Sequence, residues 1–342
     1  MPIHRKIKVL VVDDSMIFRE VIARGLATDP QIEVVATAQD PFDARDKILK
    51  YEPDVMTCDV EMPKMNGIEF LRRLLPQYLL PVIVVSTISE AVFDAMKVGA
   101  VDFVTKPNLK LARTVEEFLY DLIEKVKTAA VAKVSIENHN DLKEELFESI
   151  RVNSNKIIAI GSSTGGTEAV YKILKQLPKN SPGIVVVQHI PPVFSKMFAE
   201  RLNNQTKLQC KEAENGDFVE IGRVLVAPGD HHMRIRKVGE KYRIEIFKGE
   251  KVNGHCPSVD LLFQSVAKEA GDKAIGVILT GMGYDGAKGL LNMRRKGART
   301  IGQDEKSSVV YGMPKVAFNI GAVEKQCSLE NIHRLIYSML KE

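Results

Sequence analysis

Short apolar runs alternate with helical stripes along the first third of the chain. Ile7 to Val12, Ile32 to Ala38, Asp54 to Cys58, Val82 to Val85 and Asp102 to Val104 are rich in β-branched residues and read as strands. Between them, segments such as Ile17 to Ala27 and Gly67 to Leu75 carry apolar residues at helical spacing. Strands that alternate with helices predict a parallel sheet covered on both faces. Five such units match the doubly wound, flavodoxin-like order. The fifth ends in a long amphipathic helix, where Val115, Phe118, Leu119, Leu122, Ile123 and Val126 form one continuous stripe.

After Lys127 this pattern thins, and Ser135 to Asn155 is charged, with Leu142, Leu146, Phe147 and Ile150 spaced for a short helix. The stretch reads as a linker able to dock on one domain or the other. A second α/β pattern starts at Lys156, with buried parallel strands expected at Ile157 to Ile160, Ile184 to Val187, Val224 to Ala227 and Ala274 to Leu279. Arg243 to Phe247 alternates and is expected as an antiparallel edge. The predicted organisation is a first domain over residues 1–127, a linker over 128–155 and a second doubly wound, mostly parallel α/β domain over 156–342. There is no internal repeat or low-complexity tract.

Composition narrows the function classes. A chain of 342 residues fits about two domains, and 45% apolar with 27% charged residues is the balance of a globular protein, which excludes fibrous or largely disordered architectures. The net charge is only +4 with no Lys/Arg cluster, so nucleic acid is not an expected partner. Cys58, Cys210, Cys256 and Cys327 lie far apart and read as reduced core thiols, not as a disulfide frame or a zinc site. His4, Arg5, Lys6 and Lys8 precede an apolar run that stops at Asp13, too short for a signal peptide or a spanning helix. A cytoplasmic protein without membrane insertion is expected.

Asp13 and Asp14 follow the first strand and Asp59 follows the third. In a flavodoxin-like sheet those strands are neighbours, so the carboxylates share the crevice at the topological switch point. Converging carboxylates raise one another's pKa, and a hard divalent cation such as Mg²⁺ relieves that cost. Lys106, before Pro107, brings an ammonium to the same rim, and Ser86 ends the fourth strand with its hydroxyl nearby. Such a set can receive a phosphoryl group, with Asp59 as the attacking oxygen. Taken alone, Asp-Asp after a strand is equally a turn or helix cap.

Four elements in order change that balance. Val11-Val12-Asp13-Asp14-Ser15, Asp59-Val60-Glu61-Met62-Pro63, Ser86-Thr87 and Lys106-Pro107 resemble the receiver domain of two-component response regulators, over residues 7 to about 127. The resemblance implies phosphorylation of Asp59 by a histidine kinase. It implies a metal ion held by Asp14 and Asp59 with help from Asp13 and the backbone carbonyl of Glu61. Phe103 occupies the aromatic switch position of that family, beside Ser86 and Lys106.

In the second domain the run Lys156 to Ile160 enters Gly161-Ser162-Ser163-Thr164-Gly165-Gly166 and then a helix. A Gly-rich turn at a helix N-terminus suits a phosphate or a developing oxyanion. Gly166 is followed by Thr167 where a P-loop needs Lys, and no Gly-x-Gly-x-x-Gly is present. Gly161-x-Ser163-x-Gly165 has the form of a nucleophile elbow, a short match that is weak alone. A serine needs a base to take its proton. Ser163, His189 and Asp285 each sit at the carboxyl end of an expected strand, with the proposed roles of nucleophile, general acid/base and imidazole orienter. His231 or His232 could equally be the base, and a metal site from Asp230, His231, His232, His255 and Cys256 matches no familiar ligand spacing. Gly281-Met282-Gly283-Tyr284-Asp285-Gly286 lets backbone amides approach a bound group, as an oxyanion hole requires.

Ile160 to Gly166, Val187-Gln188-His189-Ile190, Ala227 to His231 and Leu279 to Gly286 look like the chemotaxis protein-glutamate methylesterases, over residues 156 to 342. With the receiver in front, the resemblance spans the chain. It implies a triad of Ser163, His189 and Asp285 with the backbone of Met282 as oxyanion donor, and no cofactor for the ester chemistry. Ser162 stands where that family usually has alanine, so two serines compete, and position in the motif favours Ser163. The implied activity is phosphorylation-regulated hydrolysis of glutamate γ-methyl esters on chemoreceptors, releasing methanol, together with deamidation of receptor glutamines. The implied partners are methyl-accepting chemoreceptors and a chemotaxis histidine kinase. The competing readings are a receptor-binding response regulator with an inactive esterase-like output domain, and a DNA-binding output, for which no helix-turn-helix is recognisable.

Overall fold

A computed structural model of the protein describes residues 5–63, 65–87, 91–107, 112–134 and 156–341. The short helix expected around Leu142 to Ile150 lies outside the described residues. The chain divides into two compact units.

The first unit runs β1 (Ile7–Val12), α1 (Met16–Leu26), β2 (Ile32–Ala38), α2 (Pro41–Tyr51), β3 (Val55–Asp59), α3 (Gly67–Leu74), β4 (Val82–Ser86), α4 (Ala91–Lys97), β5 (Asp102–Thr105) and α5 (Ala112–Ala129). The strands lie in the order β2-β1-β3-β4-β5, every pair parallel. Val9 to Val12 and Val82 to Val85 are nearly inaccessible because helices cover both faces, which is why these strands read as unbroken apolar runs. The helices start where side chains can accept the first free amides. Asp40 caps α2 ahead of Pro41, and Asn66 caps α3 by accepting from Glu69 N at 2.8 Å. Val12 pairs with Cys58 in the sheet, so the residues that follow β1 face the end of β3.

The second unit continues with β6 (Ile157–Ser162), α6 (Gly166–Gln176), β7 (Ile184–Gln188), α7 (Phe194–Gln205), β8 (Gln209–Glu212), β9 (Arg223–Val226), β10 (His232–Val238) and β11 (Lys241–Phe247). Then come α8 (Val259–Glu269), β12 (Ala274–Ile278), α9 (Ala287–Arg295), β13 (Arg299–Gln303), α10 (Met313–Asn319), β14 (Lys325–Cys327) and α11 (Leu329–Lys341). Seven strands form one parallel sheet in the order β14-β13-β12-β6-β7-β9-β8. The chain enters at β6, builds outward through β7 on one side and returns through β12 on the other. That makes the carboxyl ends of β6, β7 and β12 the switch-point crevice.

Arg243 to Phe247 is antiparallel as expected, but it stands outside the main sheet, in β11, which pairs with β10 in a separate ribbon. The alternation itself holds, since Ile235, Tyr242 and Ile244 are buried in the core while Arg243 is exposed. Alternation reports a one-sided strand but not its partner. The strands β8, β13 and β14 carried little apolar signal, being short and polar or, in β13, interrupted by Gly302. The thiols also depart in part from expectation: all four are free, but only Cys58 and Cys210 are buried.

Candidate functional site

Two sites lie at the carboxyl ends of strands, one in each unit. In the first, single carboxylate oxygens of Asp13, Asp14 and Asp59 lie within 4.8 Å of one another. Asp13 and Asp59 are buried and Asp14 is exposed. Lys106 Nζ sits 2.6 Å from Asp59 Oδ2 and 2.9 Å from Asp13 Oδ2. Burial pushes both carboxyls above the usual carboxylate range, although the lysine pulls each back. Burial would lower Lys106 as well, but its two carboxylate partners hold it above the ordinary lysine value. The Phe18 ring lies 4.7 Å from the ammonium.

The surrounding backbone keeps the pocket in register. Ser15 N donates to Asp13 Oδ1 at 2.9 Å, and Glu61 N donates to Asp59 Oδ1 at 3.1 Å. Gly67 is required at its position because a Cβ there would fall 2.1 Å from the Asp59 carbonyl oxygen. Ser86 ends β4, its carbonyl accepting from Lys106 N at 2.8 Å, while its hydroxyl is buried without a hydrogen-bond partner among the described residues. Glu61 points its carboxylate to Thr87 Oγ1 at 3.2 Å. Phe103 is buried, edge-on to Phe93 at 6.4 Å. The donor set is all oxygen, clustered and short of compensating charge, which fits a hard divalent cation.

In the second unit Ser163 follows β6, His189 follows β7 and Asp285 lies in the loop after β12. His189 Nε2 is 3.0 Å from Asp285 Oδ2. Among the described residues, the buried His189 Nδ1 has no hydrogen-bond partner and the Ser163 hydroxyl makes no hydrogen bond. One side chain ties the loop after β6 to the residue after β7: Gln188 Nε2 donates to Ser163 O at 2.9 Å and to His189 O at 3.1 Å. The amide's oxygen accepts from Ser162 Oγ at 2.6 Å. Ser162 is fully buried and committed, whereas Ser163 is partly exposed.

Asp285 has five hydrogen-bond donors. Besides His189, these are Val259 N at 2.6 Å, Asp260 N at 3.3 Å, Ser258 Oγ at 2.9 Å and Asn253 Nδ2 at 2.8 Å. The two amides belong to the first turn of α8, so the carboxylate sits on that helix N-terminus. Burial alone would raise its pKa, but the bonds from His189, Asn253 and Val259 overcome this and bring it down to about 2. It is ionised at neutral pH.

The Gly-rich loop lies against Ser163. A Cβ on Gly281 would fall 2.6 Å from Ser163 Cβ and 2.6 Å from Met313 Sδ. The Gly281 carbonyl accepts from Gly312 N and Met313 N at 3.1 and 2.8 Å, which pins the turn, and Gly283 has φ +83°. The Met282 amide donates no hydrogen bond among the described residues, and its side chain is 47% exposed, so it does not fill the core.

The rival bases are engaged with other partners. His232 is buried with both nitrogens engaged, Nδ1 accepting from Ser258 N at 3.2 Å and Nε2 donating to Glu250 O at 2.9 Å. His231 Nδ1 is 3.2 Å from Gly229 O. Among the described residues, the one cluster suited to a metal is the acidic pocket of the first unit. Sequence reasoning missed Gln188, Ser258 and Asn253, and gave His255 no place beside His189. Asn253-Gly254 was the available signal: both residues have positive φ, and Val252 and His255 exchange backbone bonds at 3.0 Å, the form of a two-residue turn that favours Asn-Gly.

Comparison with known proteins finds a family match within each unit. Residues 158–336 match the CheB methylesterase family and residues 9–116 match the response regulator receiver domain. The chain is 55% identical to a protein-glutamate methylesterase/protein-glutamine glutaminase of Syntrophomonas wolfei, with 99% of each chain covered. It is 46% identical to the protein of that name in Salmonella typhimurium, covering 96% of this chain and 95% of the relative. Among solved structures, the catalytic domain of Thermotoga maritima CheB methylesterase is similar with a TM-score of 0.53 and 39% identity, over 54% of this chain and 98% of that one.

Proposed function

Because the chain belongs to the CheB methylesterase family and carries a receiver domain, we propose that it is a phosphorylation-regulated serine hydrolase of chemotactic adaptation. It hydrolyses glutamate γ-methyl esters on chemoreceptors to glutamate and methanol, and hydrolyses receptor glutamines to glutamate and ammonia. The observation that carries the site assignment is the pair of adjacent serines with opposite fates, Ser162 buried on Gln188 and Ser163 partly exposed, its carbonyl held with that of His189 by the same glutamine amide.

In this reading the Asp285 carboxylate keeps a proton on His189 Nε2, which leaves the Nδ1 lone pair as the base. Ser163 Oγ adds to the substrate γ-carbonyl as its proton passes to Nδ1. The oxyanion is met by the Met282 N–H, a fixed dipole aimed at charge that exists only after attack. The imidazolium then returns the proton to the leaving oxygen or nitrogen, methanol or ammonia departs, and water repeats the sequence to free the glutamate. Ester and amide pass through the same kind of intermediate, so one site serves both.

The acidic pocket regulates this activity. Asp59 accepts the phosphoryl group, while Lys106 is placed to follow the added charge and the Ser86 hydroxyl has no prior partner. Asp14, Asp59, Asp13 and the Glu61 carbonyl would hold Mg²⁺, which supplies charge neutralisation on the transferred group. Phe103, packed on Phe93, is the side chain whose repacking would report the modification. The phosphodonor is a chemotaxis histidine kinase. No helix among the described residues is long and apolar enough to cross a membrane, in keeping with action at the cytoplasmic side of the receptors.

The test is methanol release from methylated receptor by wild type and Ser163→Ala, with and without a phosphodonor. Release that depends on Ser163 and rises with the phosphodonor is the expected result. Receptor binding without any methanol from wild type would instead identify an inactive output domain.

A further inference from the structure

His255 has no role in the triad, yet its ring lies on that of His189, centroids 3.7 Å apart and planes inclined by 9°. The single bond from Nε2 to Asp285 anchors one corner of the His189 ring but leaves its plane free to swing about that corner, and Nδ1 has no bond to fix it. A flat neighbour in van der Waals contact removes that freedom. We propose that His255 is a positioning residue: its stacked ring sets the plane of His189 so that Nδ1 is held toward the Ser163 hydroxyl through the catalytic cycle.

The loop that delivers His255 is built for this. Val252 and His255 close the Asn253-Gly254 turn through two backbone hydrogen bonds of 3.0 Å. Asn253, the first residue of the turn, is held by Asp285 Oδ1 at 2.8 Å and Asp260 Oδ2 at 2.7 Å. The same carboxylate that orients Nε2 therefore fixes the turn that carries the stacking ring. The side-chain nitrogens of His255 make no hydrogen bond among the described residues, so the flat face is what it contributes.

The stack also discriminates between the states of His189. Two neutral imidazoles gain little from facing each other, but an imidazolium against a neutral, electron-rich face is attracted to it. In the reaction sequence His189 takes up the serine or water proton on the way to each tetrahedral intermediate and gives it up on the way out, so the contact strengthens where it accelerates the reaction. This requires a neutral partner. Burial and the adjacent His189 hold His255 down to about 4, with Lys251 acting in the same sense and Asp285 against it.

The proposal rests on the triad reading above and is tested with His255→Phe and His255→Leu in the full chain, assayed for kcat and KM on methylated receptor. Both side chains fill the volume, but only phenylalanine offers a flat ring. Phenylalanine is expected to keep kcat within about threefold of wild type, and leucine to lower it by about tenfold or more with KM unchanged, as a small misplacement of a base does. Nitrogen NMR of His189 should show the Nε2–H tautomer in both variants, because the Asp285 contact that sets it is unchanged. Equal kcat values for the two variants, or a loss confined to KM, would overturn the proposal. If wild type released no methanol, or Ser163→Ala were as active, it would be the triad reading that failed.

Discussion

Ser162 and Gln188 face each other across the β6–β7 pair and share a buried hydrogen bond of 2.6 Å, while the same glutamine amide holds the carbonyls of Ser163 and His189. Ser162 thus completes a strut behind Ser163. All three polar contacts of the amide are satisfied, and its orientation is fixed by them.

From this the two serines should separate cleanly. Ser163→Ala is expected to lower kcat for methanol release by about 10⁴-fold or more, as removal of a triad nucleophile does. Ser162→Ala should keep kcat within a few-fold and cost about 1–3 kcal/mol in stability, because a buried amide oxygen loses its donor. Kinetics and thermal unfolding of both variants check this. The opposite pattern would move the nucleophile to Ser162.

Gly281→Ala probes the contact between the two loops. The new Cβ would need the space of Ser163 Cβ and Met313 Sδ, each 2.6 Å away, while the Gly281 carbonyl is held by two amides. Ser163 or Met313 must yield. A drop in kcat of about 100-fold with the fold retained is expected, measured beside circular dichroism. Unaltered turnover would mean that Ser163 can be displaced without consequence.

Acid should weaken the second unit in two windows. His255 titrates at 6.5 when unfolded and about 4 when folded, so between these values only the unfolded chain takes up the proton and stability falls as pH falls. Asp285 repeats the effect between 3.8 and about 2, where its depressed folded pKa is crossed. His255→Phe should flatten the first window and leave the second. Calorimetry of the full chain across pH reads both, taking the transition that does not respond to Mg²⁺.

The first unit should behave in the opposite sense. Asp13 and Asp59 are raised above 3.8 by burial, so their ionised forms cost stability at neutral pH, and that cost is relieved as pH falls through the raised values. Mg²⁺ at about 100 times its dissociation constant should add about 2.7 kcal/mol, and Asp59→Asn should raise the metal-free midpoint while reducing the metal response. The same variant should retain basal methanol release and lose stimulation by a phosphodonor. Stimulation equal to wild type would place the phosphorylated group elsewhere.

The buried strands were legible because helices on both faces demand unbroken apolar runs, and the ends of such runs are where Asp13, Asp59, Ser163 and His189 stand. The partner of β11 was not legible, since Tyr242 and Ile244 announce a buried face and say nothing of the neighbouring strand. Asn253 and His255 were invisible as site residues for a similar reason. They reach Asp285 and His189 through the tertiary path of the ribbon, and only the Asn-Gly pair betrayed the turn. The separation of Ser162 from Ser163 needed the side chain of Gln188, which lies 26 positions away.

A hydrolase that works on the side chains of another protein must function while its opening is covered by that protein. The anion at the back of this crevice is prepared for that condition, because Val259, Asp260, Ser258 and Asn253 surround it as water otherwise would. Docking of a macromolecular substrate can therefore dry the mouth without stranding the Asp285 charge. Its hydration shell is made of protein and travels with the fold.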